Sequence, residues 1–227
     1  MIDERLKTVA SFVKKGSAVC DVGTDHGYLP CFLVKNNITS NVLATDINIK
    51  PLQAASKHIK DDGLEKVVLV RLSDGLQQVT HKEVDTIVIA GMGGDLIYKI
   101  LTDVSWTKSK DLDFILQPMT HVEVLREKLY SSGFYIKKET PVIDLEHYYT
   151  VMSVGYSGIN EEISDVFYYA GCIFDYNDAV SIQYCKHIYK RLTRILKGQE
   201  KGNVITQNTQ KIKKVVQCLE EKLHGND

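Results

Sequence analysis

Cys20-Asp21-Val22-Gly23-Thr24-Asp25-His26-Gly27-Tyr28-Leu29-Pro30 decides how this 227-residue chain is read. Ahead of it, Ser17 to Cys20 with Ala18 and Val19 predicts a short buried strand. Gly23 and Gly27 permit a sharp turn with close backbone approach to a ligand, and Cys31, Phe32, Leu33 and Val34 predict an apolar helix beyond it. In an open α/β sheet, a strand, glycine turn and helix in this order put a nucleotide-like ligand at the carboxyl end of the first strand.

The spacing narrows the ligand. A dinucleotide site reads G-x-G-x-x-G, so that backbone amides approach a pyrophosphate. Here the glycines stand as Gly23-x-x-x-Gly27, Asp21 precedes the turn and Asp25 lies inside it. A carboxylate there repels phosphate. S-adenosylmethionine, with a cationic amino-acid end and no phosphate, suits the turn better.

Later strand ends agree with that ligand. Val42 to Asp46 predicts a second strand, and Asp46 stands 19 residues after Gly27, where a carboxylate accepts both ribose hydroxyls. Val67 to Val70 predicts a third strand, followed by Asp74-Gly75, placed to meet an adenine amino group. Asp85 to Ala90 predicts a fourth, running into a turn of Gly91, Met92, Gly93 and Gly94. Leu112 to Leu116 predicts a fifth, ending at Gln117-Pro118 on the ligand side.

Helical spacing over residues 2–15 (Leu6, Val9, Phe12, Val13) predicts an amphipathic helix beside the first strand, ended by Gly16, with Arg5 and Lys7 near its start. Pro51 opens a helix through Ile59, closed by Asp61-Asp62-Gly63. Another is expected from about His121 to Tyr130. Phe134 to Ile143 and His147 to Gly155 predict an antiparallel hairpin, which supplies a reversed last strand.

From about Gly158 the pattern becomes helical. Ile182, Cys185, Tyr189, Leu192 and Leu196 recur at alternating three and four residues, as do Ile212, Val215, Leu219 and Leu223, with Gly198 to Gly202 expected as the connection. This predicts an antiparallel α-helical hairpin of coiled-coil type. The expected fold is α/β: a mostly parallel Rossmann-like sheet over residues 1–157 and a helical extension over 158–227.

With 44% apolar and 25% charged residues, the composition is that of an ordinary soluble chain. Its opening residues lack a signal-peptide run and no stretch matches a membrane span, so a cytoplasmic location is expected. Cys20, Cys31, Cys172, Cys185 and Cys218 are odd in number and lack C-x-x-C spacing, which predicts reduced buried thiols and no metal. The formal net charge of −1 conceals a basic arm: residues 186–214 hold nine Lys and Arg against the single acid Glu200. Lys190, Arg191, Arg194 and Lys197 lie within it, as expected for a grip on a phosphate backbone.

DVGTDHGYLP, the SDGL around Asp74, AGMGG at Ala90 to Gly94 and FILQP at Phe114 to Pro118 resemble the bacterial tRNA (adenine(22)-N(1))-methyltransferases over most of residues 1–156. Met119 stands where that family usually has asparagine, and Asp144-Leu145-Glu146-His147 where many members carry an acidic-glycine pair. The resemblance implies a class I methyltransferase sheet and methylation of adenine nitrogen-1 in tRNA at position 22, with S-adenosylmethionine as methyl donor.

The glycine turn at residues 91–94 replaces the acidic or amide residue and prolines of amino-group methyltransferases. Adenine nitrogen-1 already carries an in-plane lone pair, so alignment and a carboxylate to meet the cationic product suffice. Asp25 is the expected carboxylate, with His26 and Tyr28 positioning the extruded base. The other roles open to them are helix capping for Asp25 and loop ordering for His26. Cofactor contacts are expected at Asp21, Gly23, Thr24, Gly27 and Leu29, at Asp46 and Ile47, at Asp74 and Gly75, and at Gly91 and Met92. Contacts with the RNA are expected at Gly93, Gly94, Gln117 and Pro118 and at the four bases of the arm. Two rival functions remain open: methylation of another RNA, a protein or a small molecule, and RNA binding without catalysis. So do a monomer and a weak homodimer through the hairpin.

Overall fold

The computed structural model describes residues 2–202 and 206–224. In chain order its elements are α1 (Glu4–Phe12), β1 (Ala18–Val22), α2 (Tyr28–Lys35), β2 (Asn41–Asp46), α3 (Ile49–Asp61), β3 (Val68–Leu72), β4 (Thr86–Gly93), α4 (Gly94–Thr102), β5 (Asp113–Thr120), α5 (Val122–Ser131), β6 (Phe134–Asp144), β7 (His147–Tyr156), α6 (Asp165–Ala170), α7 (Ala179–Lys201) and α8 (Gln207–His224).

The strands form one sheet in the order β3-β2-β1-β4-β5-β7-β6. Strands β1 to β5 pair in parallel, and β7 runs antiparallel to both β5 and β6. Chain order reverses between β1 and β4, which makes their carboxyl ends the topological switch point where α/β sheets bind ligands. Apolar strand residues such as Val19, Val42 and Val88 on one face and Cys20, Ile87 and Phe114 on the other are buried under helices. Two-sided burial explains why these strands read as continuous apolar runs rather than alternating ones.

Three differences from the sequence expectations bear on the site. β1 extends to Val22, so Asp21 lies within the buried strand rather than after it. The Gly91–Gly94 segment is no flexible turn: β4 continues through Gly93 with register shifts against β5, and α4 starts directly at Gly94. A Cβ on Gly94 would come within 2.5 Å of the His121 carbonyl oxygen, so only glycine lets α4 start this close to the end of β5. Finally, α1 ends at Phe12 and packs chiefly on β5, β6 and β7, not beside β1.

The hairpin also departs in detail. α7 runs unbroken through Gly198 to Lys201, so the expected connection at Gly198 to Gly202 is mostly helix, while residues 203–205 lie outside the described set. Its buried stripe is Ser181, Tyr184, Cys185, Ile188, Leu192 and Leu196, one residue out of phase with the predicted seam at Ile182 and Tyr189. The reason is a second neighbour: this face meets Tyr169 and Ile173 as well as Ile212, Val215 and Leu219 of α8. α7 therefore serves as a docking helix against the sheet domain as much as half of a hairpin.

Candidate active site

At the carboxyl ends of β1, β2 and β4 lies a crevice of about 680 Å³, within the usual range of small-ligand sites. Its floor is the turn after β1. The Gly23 and Thr24 amides both donate to the Thr45 carbonyl, at 2.8 and 2.9 Å, which ties the turn to the end of β2. Gly23 has φ +76, and a Cβ there would fall 2.2 Å from the Met92 methyl carbon. The backbone conformation demands glycine at this position, and a side chain there would also push the Met92 methyl aside.

Five carboxylates line the crevice, Asp3, Asp21, Asp25, Asp46 and Asp74, against two bases, Arg5 and Lys99. Both bases have acidic partners already: Arg5 pairs with Asp3 at 3.3 Å and Lys99 with Asp103. Asp21 is 6% exposed, and among the described residues no basic side chain pairs with it. Burial pushes its carboxyl up to about 6, and the Asp46 charge adds to the effect. The buried Thr24 hydroxyl beside it acts the other way, easing the carboxyl back toward its charged form. A buried carboxylate without a basic partner at the bottom of an acidic crevice fits a cationic, phosphate-free ligand.

Asp46 accepts from the Asn48 amide at 2.7 Å with one oxygen, and it lines the crevice with Ile47 and Asn48. The Asp74-Gly75 loop is braced by Ser73, whose hydroxyl donates to the Gly75 carbonyl at 2.8 Å and accepts from the Gln78 amide at 3.1 Å. Leu29, Gly91 and Met92 also line the wall, whereas Gly27 of the expected set does not.

Of the three residues expected at the reaction centre, Asp25 and Tyr28 line the crevice. The Asp25 side chain is 77% exposed at its mouth. His26 is absent from the lining: it sits at φ 54 with its ring stacked on Tyr28, centroids 5.4 Å apart. Its Nε2 lies 3.4 Å from Asp25, so it orders the loop. Gly27 lies beneath the turn against Ala55 of α3.

Gly93, Gly94, Gln117 and Pro118 are not brought into the crevice. Gln117 is fully buried: its side-chain oxygen accepts from the Gly91 amide at 3.0 Å and from the Arg5 guanidinium at 2.7 Å. It holds the bulged end of β4 and the start of α1 together. Met119 is exposed, with its sulfur 3.6 Å from the Gln117 amide nitrogen, outside the crevice lining. The Asp144–His147 segment is the tight β6–β7 turn, with Leu145 at φ 54.

Sequence reasoning missed the contribution of α1 and α4. Leu6 of the first, with Ile2 just ahead of it, and Leu96 and Ile100 of the second form apolar walls. Their helical spacing reads only as core; it takes the placement of α1 over the sheet to turn one end of it toward a ligand.

On the hairpin, Lys190, Arg194 and Lys197 are exposed. Arg191 is half-buried and reaches Glu123 of α5 at 3.3 Å, so it braces α7. Lys211 and Lys213 face Asp165 and Glu200 at 3.5 Å each. Among the described residues no helix is long and apolar enough to cross a membrane.

The sheet order, the reversed β7 and an acidic crevice at the switch point define a Rossmann-like methyltransferase. Residues 2–152 match the family model described as a methyltransferase domain. The tRNA (adenine(22)-N(1))-methyltransferase of Bacillus subtilis is 37% identical over 138 residues, a match that spans 61% of this chain and 58% of that relative. A candidate tRNA (m1A22) methyltransferase of Streptococcus pneumoniae, solved in complex with S-adenosyl-L-methionine, superposes with a TM-score of 0.83 at 30% identity, over 99% of this chain and 100% of that one. M. capricolum TrmK, solved with S-adenosyl-homocysteine, gives 0.78 at 29% identity, with full coverage of both chains. The chain belongs to the bacterial tRNA (adenine(22)-N(1))-methyltransferase family.

Proposed function

We propose that this protein transfers a methyl group from S-adenosylmethionine to nitrogen-1 of an adenine in tRNA, at position 22. The observation that carries the reading is the buried carboxylate Asp21, without a basic partner, in a crevice of five carboxylates at the switch point. The names and ligands of the similar proteins support the nucleotide position and the donor.

When bound, S-adenosylmethionine supplies an electrophilic methyl on a sulfonium. Asp21 receives the amino group of its methionine end, Asp46 the ribose hydroxyls and Asp74 the adenine amino group. Gly23 leaves room for the chain between them, and Met92 and Leu29 cover its apolar parts. Asp25, exposed at the mouth, meets the positive charge that develops on the target adenine, and Tyr28 offers a face for the base to stack on. His26 holds this loop in shape. Nitrogen-1 needs no proton removed before attack, so alignment is the main requirement.

Residues 158–227 form the extension that holds the tRNA body, through Lys190, Arg194 and Lys197. A phosphate grip of this kind recognises a folded RNA by shape and leaves base choice to the crevice. The test is nucleoside mass spectrometry after incubation with labelled S-adenosylmethionine and unmodified bacterial tRNA transcripts. Labelled 1-methyladenosine mapped to position 22 is the expected product; label on protein, or on another nucleoside, refutes the proposal.

A further inference from the structure

Outside the crevice lining, Cys31 of α2, His58 in the last turn of α3 and Asp62 just beyond it each bring one ligand-type atom to within 4.8 Å of the others. His58 Nδ1 lies 2.9 Å from the His26 carbonyl oxygen. A carbonyl only accepts, so Nδ1 carries the proton and the neutral ring presents a lone pair at Nε2. That Nε2 is 3.3 Å from Asp62 Oδ2. Asp62 Oδ1 is engaged by Lys35 Nζ at 2.6 Å, and the buried side of the carboxylate, at Oδ2, meets only the Cys31 thiol and the His58 ring.

Two lone-pair atoms that face each other at this distance repel unless a cation lies between them. A proton, as imidazolium, satisfies that need with His58 and Asp62 alone. Cys31, 2% exposed, brings a third ligand-type atom, its thiol directed at the Asp62 carboxylate. Nitrogen and oxygen ligands on a tetrahedral zinc ion stand roughly 3.3 Å apart, from bonds of about 2.0 Å. The backbone carbonyl on Nδ1 is the usual outer partner of a metal-bound imidazole.

We propose that Cys31 Sγ, His58 Nε2 and Asp62 Oδ2 form a structural zinc site, with water in the fourth position. The thiolate and imidazole donors select zinc over magnesium or calcium. Binding releases the Cys31 thiol proton to solvent and leaves Lys35 on Oδ1. The ion fastens α2 to α3 and, through His58, holds the His26 carbonyl and the left-handed backbone on which the turn depends. It takes no part in methyl transfer, and the inference does not rest on the proposed reaction.

The test uses the full chain, dialysed against chelator and titrated with Co²⁺. One equivalent should produce a thiolate-to-cobalt charge-transfer band with the intense visible bands of a four-coordinate ion, and Zn²⁺ should erase both. Cys31→Ser should abolish the charge-transfer band, and His58→Gln should weaken Co²⁺ binding at least tenfold, with far-ultraviolet circular dichroism unchanged in each. Zn²⁺ should raise the melting temperature of the wild type but not of Cys31→Ser. Absence of the band in the wild type, or its survival in Cys31→Ser, overturns the proposal. A protonated His58 ring by NMR at neutral pH, with no cobalt band, shows that a proton fills the gap instead.

Discussion

Arg126 Nη2 and Glu139 Oε1 meet at 2.6 Å in a place where neither side chain reaches solvent. The Thr150 hydroxyl donates to the same carboxylate oxygen at 2.8 Å, and the Cys172 amide donates to the other at 3.1 Å. Arg126 Nη1 reaches the Tyr168 and Tyr169 carbonyls, both at 3.0 Å. One ion pair thus joins α5, β6 and β7 to the segment that leads into the hairpin. Removing one partner strands a buried charge, so Arg126→Met or Glu139→Leu should each cost about 3–5 kcal/mol, measured by urea denaturation. The pair Arg126→Met with Glu139→Leu should lose less than the sum of the two single changes; an additive loss would show that the two side chains act independently.

Burial of Asp21 has a cost in stability. Its carboxyl sits at about 6 in the folded chain against an ordinary 3.8. The folded state therefore holds the proton more tightly than the unfolded chain, and stability declines as pH rises from 3.8 through about 6. The full difference is on the order of 3 kcal/mol above that window. Asp21→Asn should accordingly melt higher than wild type at neutral pH, with the gap closing in acid, and should bind S-adenosylmethionine more weakly. Wild-type affinity for that ligand should tighten as pH rises through about 6, read by calorimetry. Equal melting of the two proteins at neutral pH would contradict the assigned burial cost.

Gly23→Ala should weaken S-adenosylmethionine binding at least tenfold, since the added methyl strains a φ of +76 and meets Met92 at 2.2 Å. Met92→Ala in the same chain should relieve the clash but not the strain, and so recover only part of the affinity. Full recovery would place the whole effect on packing.

Asp25→Ala should lower kcat by roughly tenfold to a thousandfold with the Kd for S-adenosylmethionine nearly unchanged. The carboxylate lies exposed at the mouth, whereas Asp21 lies at the bottom. Loss of cofactor binding in Asp25→Ala would move this residue into the cofactor pocket.

Neutralising Lys190, Arg194 and Lys197 together should weaken tRNA binding and flatten its dependence on log salt by roughly one unit for each phosphate left without a cation. Affinity for S-adenosylmethionine should not change. Arg191→Ala should act differently, because its guanidinium is committed to Glu123; its effect on the salt slope should be small. A full unit of slope removed by Arg191→Ala alone would mean that the ion pair opens on binding.

Most of the crevice was legible because the carboxylates stand at strand ends, and strand ends are marked by apolar runs that stop. Asp46 and Asp74 needed nothing more than that. The glycines at 91–94 misled, since a run of glycines reads as looseness; here it marks a β-bulge and a helix packed tightly on a neighbouring backbone. Gln117 read as a ligand contact because it closes an apolar strand, yet its amide is spent on Arg5 and Gly91. The phase error on α7 has a similar origin: periodicity fixes that a helix has a buried stripe, not how many neighbours the stripe serves. Arg126 with Glu139 carries no local spacing signal, because the two stand on different elements; His58 and Asp62 stand four apart at the end of one helix, but nothing local ties them to Cys31 on α2.

The hydrogen bond between Arg5 and Gln117 spans 112 residues of chain, and α1 rests on β6 and β7, which are made later still. β7 in turn must slide between β5 and β6, so the sheet is whole only after residue 156. During synthesis the first helix is therefore made first and seated late, held off its site until nearly 70% of the 227 residues have left the ribosome. Until then the newborn chain exposes the apolar face of α1, and the wall that α1 contributes to the crevice is missing. A growing chain cannot close its acidic crevice before the frame that will carry α7 and α8 is in place.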